Sequence, residues 1–144
     1  MQPSPIQLQE LTYSVFSVKA RSDFVLPPNQ TGFDFNDVMI GESIEVNLLD
    51  NPNDPSSFAI HLVIEINNQE GKKAPYDLEI GVVGLFDVNK SAVKAEDRAE
   101  LVEVNGCAML YGAIRDLVLH LTSRSIHGAL MLPTVNFLDR RKTN

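Results

Sequence analysis

Cysteine is almost absent from this chain. Its 144 residues hold one, Cys107, so no disulfide can close within it. That suits a reducing compartment, and a cytoplasmic location is expected. Set in an apolar stretch, the Cys107 thiol reads as a small buried hydrophobe rather than a reactive group. Basic residues are also short, with 12 Lys and Arg against 19 Asp and Glu, for a net charge of −7. A nucleic-acid partner needs a basic face, and an anionic membrane surface attracts basic segments, so neither partner is expected. Long apolar runs are missing, which argues against membrane insertion. The opening MQPSPIQLQEL has neither the basic start nor the apolar core of a secretory signal.

Chemistry-bearing patterns are scarce as well. The histidines His61, His120 and His127 stand at no metal-ligand spacing, and no metal is expected. His61 falls on the polar phase of a strand, where solvation or a contact between subunits suits it better than catalysis. A Cys107–His120 nucleophile pair would be about 20 Å apart along a continuous helix, too far to interact. Gly81 and Gly84 lie within a strand and match no phosphate loop; they mark a bulge or a close backbone approach. Asp77 and Glu79 share one strand face and read as solvated carboxylates. No enzyme activity and no cofactor are expected.

What is present is alternation. Residues 1–8 look loosely attached. From Leu11, apolar residues alternate (Leu11, Tyr13, Val15), then switch phase (Phe16, Val18, Ala20), which predicts a strand with a bulge. Residues 21–37 form a long connection broken by Pro27-Pro28 and Thr31-Gly32. It carries Phe24, Phe33 and Phe35, three of the seven phenylalanines. Such rings either tuck into the core or line an apolar groove for a partner. Strands follow at 43–49, at 58–67 and from Tyr76 to Val88, joined by the turns Asn51–Pro55 and Asn68–Lys73. Short turns between alternating strands predict an antiparallel meander with one apolar face to cover. Residues 91–104 read as a short helical turn or an ordered loop.

The stretch from Asn105 to Phe137 must supply the cover. Asn105-Gly106 is a turn signal. After it, Leu110, Ile114, Leu117, Val118 and Leu121 recur at helical spacing. Cys107, Met109, Tyr111, Ala113 and Leu119 add apolar surface outside that stripe, more than a helix lying on one sheet needs. An irregular apolar segment, 126–137, follows and is pinned by Pro133. Only seven residues remain after Phe137, enough for about two helical turns.

The order Leu110-Tyr111, Arg115, Leu121-Thr122-Ser123-Arg124 and Leu132-Pro133-Thr134-Val135-Asn136-Phe137 resembles the C-terminal signature of SecB-type chaperones. The motif spans roughly a quarter of the chain, and the element order upstream agrees. The resemblance implies one α+β domain over 1–144: a four-stranded antiparallel sheet with a long β1–β2 crossover loop, packed against a long helix. The family's second helix would here be short or absent. It also implies a homotetramer, a dimer of dimers, with Met109, Tyr111, Leu119 and His120 at the interface between subunits. The function implied is that of an ATP-independent holdase for unfolded or precursor polypeptides. Its groove would use Phe24, Phe33 and Phe35 on one side and Leu130, Met131, Leu132 and Phe137 on the other. In the family, acidic positions on the outer sheet dock the SecA motor. Glu79 matches one of them, with Asp77 beside it, but Val15 and Lys19 stand where acids would be expected. Those departures and the short tail suit a divergent relative, such as SecB-like chaperones that protect an antitoxin.

Overall fold

The computed structural model describes residues 1–25 and 32–138. Pro27, Pro28, Thr31 and the tail after Leu138 lie outside the described residues. Four strands, β1 (Ile6–Ala20), β2 (Gly41–Leu48), β3 (Ser57–Ile66) and β4 (Tyr76–Val88), precede one long helix, α1 (Ala95–Thr122). They form a single antiparallel sheet in the order β1-β4-β3-β2. The β2–β3–β4 meander matches the alternation, and the β1–β2 connection crosses from one edge of the sheet to the other. The fold is α+β, as expected from the sequence.

One face of the sheet is closed by α1. Ile60, Leu62, Ile80 and Val82 from the sheet and Val102, Cys107, Leu110, Ile114 and Val118 from the helix have no exposed surface. The alternation of period two in β3 and β4 puts every second side chain into this layer. Two glycines permit the contact. A Cβ on Gly106 would lie 2.6 Å from Ile60 Cδ1, and one on Gly84 would lie 2.7 Å from both Leu110 Cδ2 and Phe86 Cε2. Gly84 is thus the close backbone approach expected of it.

Asn105-Gly106 is not a turn. α1 runs unbroken through it and absorbs most of the 91–104 segment that was expected to be a short turn or loop. Asn105 Nδ2 donates to the Leu101 carbonyl at 2.8 Å, and Gly106 is buried against the sheet. The glycine there serves helix–sheet proximity, which offsets its poor helix propensity. The helix start is anchored by Arg98, a buried side chain. It donates to the carbonyls of Val93, Pro55 and Lys90 and pairs with Asp54 at 2.6 Å.

β1 begins at Ile6, five residues before the strand expected from Leu11. Ile6 is buried and pairs with Val88. The expected bulge is present, with register shifts between Leu8 and Glu10 and between Tyr13 and Val15. The second shift falls opposite Gly81. A Cβ there would meet Ser14 Oγ at 2.4 Å, so the glycine makes room for the bulged residue. Ser14 in turn is hydrogen-bonded to His61 Nε2 at 2.9 Å on the outer face.

Candidate functional site: an apolar groove beside the helix end

The crossover segment returns beside the C-terminal half of α1. Its rings form a ladder of edge-to-face contacts: Phe24 to Phe33 with centroids 5.8 Å apart, and Phe33 to Phe35 with centroids 5.0 Å apart. The i, i+2 spacing places Phe33 and Phe35 against the body and leaves Asp34 and Asn36 exposed. Asp34 Oδ1 accepts the Asn36 N–H at 2.9 Å, and Val38 N donates to the Phe35 carbonyl at 3.0 Å, which closes the turn. The Asn36 N–H, with help from the nearby Lys72 ammonium, holds the Asp34 carboxyl below the usual carboxylate range.

The facing wall is the segment after α1, and polar tethers shape it. Thr122, buried at the end of the helix, accepts the Leu130 N–H on Oγ1 at 2.8 Å. Tyr76 Oη donates to the Gly128 carbonyl at 2.6 Å, at a backbone position with φ +79° that suits glycine. Arg115 Nε donates to the Leu132 carbonyl at 3.0 Å, and Tyr111 Oη to the Pro133 carbonyl at 2.5 Å. Burial pushes the Tyr111 phenol up to about 12. His127 Nε2 donates to the Arg21 carbonyl at 2.5 Å, and its ring lies edge-on between Phe24 and Tyr76. This histidine therefore joins the segment after the helix to the end of β1.

Between the walls lies an open, shallow cleft of about 430 Å³, where Phe33, Phe35, Met131 and Pro133 alternate with the polar Asp34, Asn36, Arg115 and Thr134. Of the expected groove residues, the structure brings Phe33, Phe35 and Met131 together around it; Leu132 borders it but is 1 % exposed, so its side chain belongs to the core. Met131 is 58 % exposed. Phe24 stands one ring further along the ladder. Leu130 and Phe137 point into the core, with Phe137 edge-on to Tyr111 at 5.9 Å, so they support the groove from beneath. The sequence does not mark Tyr76, Tyr111, Arg115, Thr122 or His127 as tethers of this wall.

The residues expected at a subunit interface divide. Met109 and His120 are exposed and Leu119 is half-buried, whereas Tyr111 is buried inside the protomer, engaged with Pro133. Phe16, paired with the buried Ile80 across the sheet, is 64 % exposed. On the outer face, Asp77 accepts from Asn68 Nδ2 at 2.6 Å, pairs with Arg21 at 3.3 Å and stands across from Lys19. Glu79 is exposed, with Ser17 and Glu65 as its cross-strand neighbours. Among the described residues, no group of three or more His, Cys, Asp or Glu could hold a metal ion. No helix there is long and apolar enough to cross a membrane.

The open four-stranded sheet, the single helix across one face and the groove beside the helix end define an α+β protein with a lateral apolar cleft. A family model described as preprotein translocase subunit SecB matches residues 40–140, and the chain belongs to the SecB family. A comparison with curated proteins finds no match. Among solved structures, the chain is similar to a SecB-like chaperone of Mycobacterium tuberculosis, solved in complex with a peptide from an antitoxin. The identity is 19 %, the TM-score 0.54, and 90 % of each chain is covered. It is also similar to a protein of unknown function from Streptococcus agalactiae at 10 % identity and TM-score 0.52, covering 90 % of this chain and 97 % of that one. At such identities these likenesses speak to the fold.

Proposed function

We propose that this protein is an ATP-independent chaperone that holds unfolded polypeptides in the groove between Phe33–Phe35 and the exposed Met131. The observation that carries the reading is the cleft of about 430 Å³ where the aromatic ladder meets the segment after the helix, in a chain of the SecB family. Aromatic and methionine surface gives burial that tolerates many sequences, at roughly 25 cal/mol per Å² of apolar area removed from water. Backbone carbonyls at the rim are satisfied by Tyr111 and Arg115. Light scattering of a chemically denatured client tests the reading. Aggregation falls at stoichiometric chaperone; undiminished aggregation would refute the reading.

The working form is a homotetramer, a dimer of dimers. The apolar surface left uncovered, with Phe16 at 64 %, Leu121 at 43 % and Met109 at 37 % exposure, supports assembly. Sedimentation should give a tetramer, and a stable monomer would count against this.

A second reading assigns the groove to one dedicated client, such as an antitoxin, without SecA. Two features favour it: Asp77 is occupied by Asn68 and Arg21, and Lys19 lies directly across from it. The similar Mycobacterium tuberculosis chaperone was solved with an antitoxin peptide, which is consistent with this reading. Co-purification from the native host separates the two: many precursors support general export, and one dominant small partner supports the dedicated role.

A further inference from the structure

We propose that Gly71 and Lys72, in the turn between β3 and β4, are positioning residues that latch the aromatic wall of the groove in place; this rests on the groove reading above. At the exposed end of the crossover segment, an isolated antiparallel bridge joins Val38 to Gly71, and Lys72 N donates to the Asp37 carbonyl at 2.9 Å. The Lys72 side chain then folds back over the segment. Its Nζ donates to the Asp34 carbonyl at 2.6 Å, lies 3.7 Å from the Asp34 carboxylate and sits 4.9 Å from the centroid of the Phe33 ring. One side chain thus holds both the backbone and a ring of the wall, through a hydrogen bond, an ion pair and a cation–π contact.

The approach needs glycine at 71. Its φ is +73°, and a Cβ would lie 2.6 Å from the Asp37 carbonyl oxygen, a backbone atom without a flexible escape. Asp37 itself has φ +68°, a conformation non-glycine residues rarely adopt, so the contact holds backbone strain on the crossover side as well. The turn bearing the latch is rigid. Buried Asn68 donates from Nδ2 to the Tyr76 carbonyl at 2.9 Å and accepts the Ala74 N–H on Oδ1 at 2.8 Å, and Lys73 donates to the Asn68 carbonyl. Adjacent lysines therefore have different work: Lys73 closes its own turn, and Lys72 reaches across to the wall.

Hydrogen exchange of the 33–38 amides, run beside the affinity of a short fluorescein-labelled phenylalanine-rich peptide, tests the latch. In Lys72→Met, exchange at Asn36 and Val38 should quicken and the peptide bind more weakly, each by about two- to five-fold, the worth of an exposed cation–π contact. Lys72→Arg should restore both, and the urea midpoint should stay at the wild-type value. Added salt should quicken the same amides in the wild type and leave Lys72→Met unmoved, because the ion pair is screened. Gly71→Ala should act in the same direction as Lys72→Met, and more strongly. Unchanged exchange in both variants would overturn the latch, as would faster exchange with unchanged peptide affinity. Failure of the wild type to bind peptide, with exchange still responding to Lys72→Met, would sink the groove reading and leave the latch standing.

Discussion

The body of the molecule and the walls of its groove are held by different forces. Between sheet and helix, side chains such as Ile80, Val82, Leu110 and Ile114 are fully buried, and non-directional apolar burial does the holding. The groove walls carry little regular structure of their own. Leu130, Leu132 and Phe137 anchor the segment after the helix in the core, and polar tethers set the path of both walls: Tyr111 to Pro133, Arg115 to Leu132, Thr122 to Leu130, Lys72 to Asp34. The body therefore resists change as a unit, while the walls can lose one tether and re-form around a ligand. A site that must accept many polypeptides gains from this division, since adaptable walls need a rigid support.

Substitutions can break or sharpen this contrast. The largest effect is expected in the body. Ile114→Ala leaves a cavity under the sheet and should cost about 2–5 kcal/mol of unfolding free energy, read from urea denaturation. Next comes the groove itself. Phe35→Ala should weaken client binding about tenfold, as loss of a ring contact worth about 1–2 kcal/mol implies, and leave assembly by sedimentation unchanged. A dissociated protein would show that the ring belongs to the body instead.

A single tether should matter less. Tyr111→Phe keeps the ring on Phe137 and removes the hydrogen bond to Pro133, for a loss of about 0.5–1.5 kcal/mol. The phenol also carries a pH signature. Its value is raised from 10.0 to about 12 in the fold, so its contribution is fully present below pH 10 and is lost as pH rises through 12. Urea midpoints over that window should fall less steeply in Tyr111→Phe than in the wild type. Some slope should remain, because desolvation also raises Tyr13 and Tyr76. The smallest effect is expected on the outer face. Glu79→Lys should leave both stability and client binding near wild type, since that side chain is exposed and remote from the groove.

The same division explains what could be read from the chain. The strands were legible because β3 and β4 alternate strictly over a buried face. The alternation predicts a sheet with one apolar face and the 105–137 stretch its cover, and the SecB resemblance supplies the α+β class. The helix start was misread because Asn105-Gly106 looks like a turn locally, and only the distance to Ile60 and Phe86 explains a buried glycine there. The first residues of β1 are hard to see because Ile6-Gln7-Leu8-Gln9 alternates only briefly, and its phase is broken at Gln9-Glu10, where a register shift falls, before Leu11 starts the next run. In the groove, Phe33 and Phe35 announced themselves as aromatics crowded into a loop. Their tethers did not. Tyr111 meets a carbonyl 22 positions away and Lys72 one 38 positions away, and a lysine in a polar turn looks solvated until the fold folds it back. Leu130 and Phe137 showed as apolar residues, but which side of the segment they take depends on the Thr122 and Tyr111 bonds.

The most direct test of the groove is a chemical-shift map of the isotope-labelled protein titrated with an unfolded polypeptide. The perturbed resonances should cluster at Phe33, Phe35 and Met131, with the outer-face residues Val63, Glu65 and Glu79 unmoved. Perturbations confined to that outer face, with the groove silent, would contradict the groove reading.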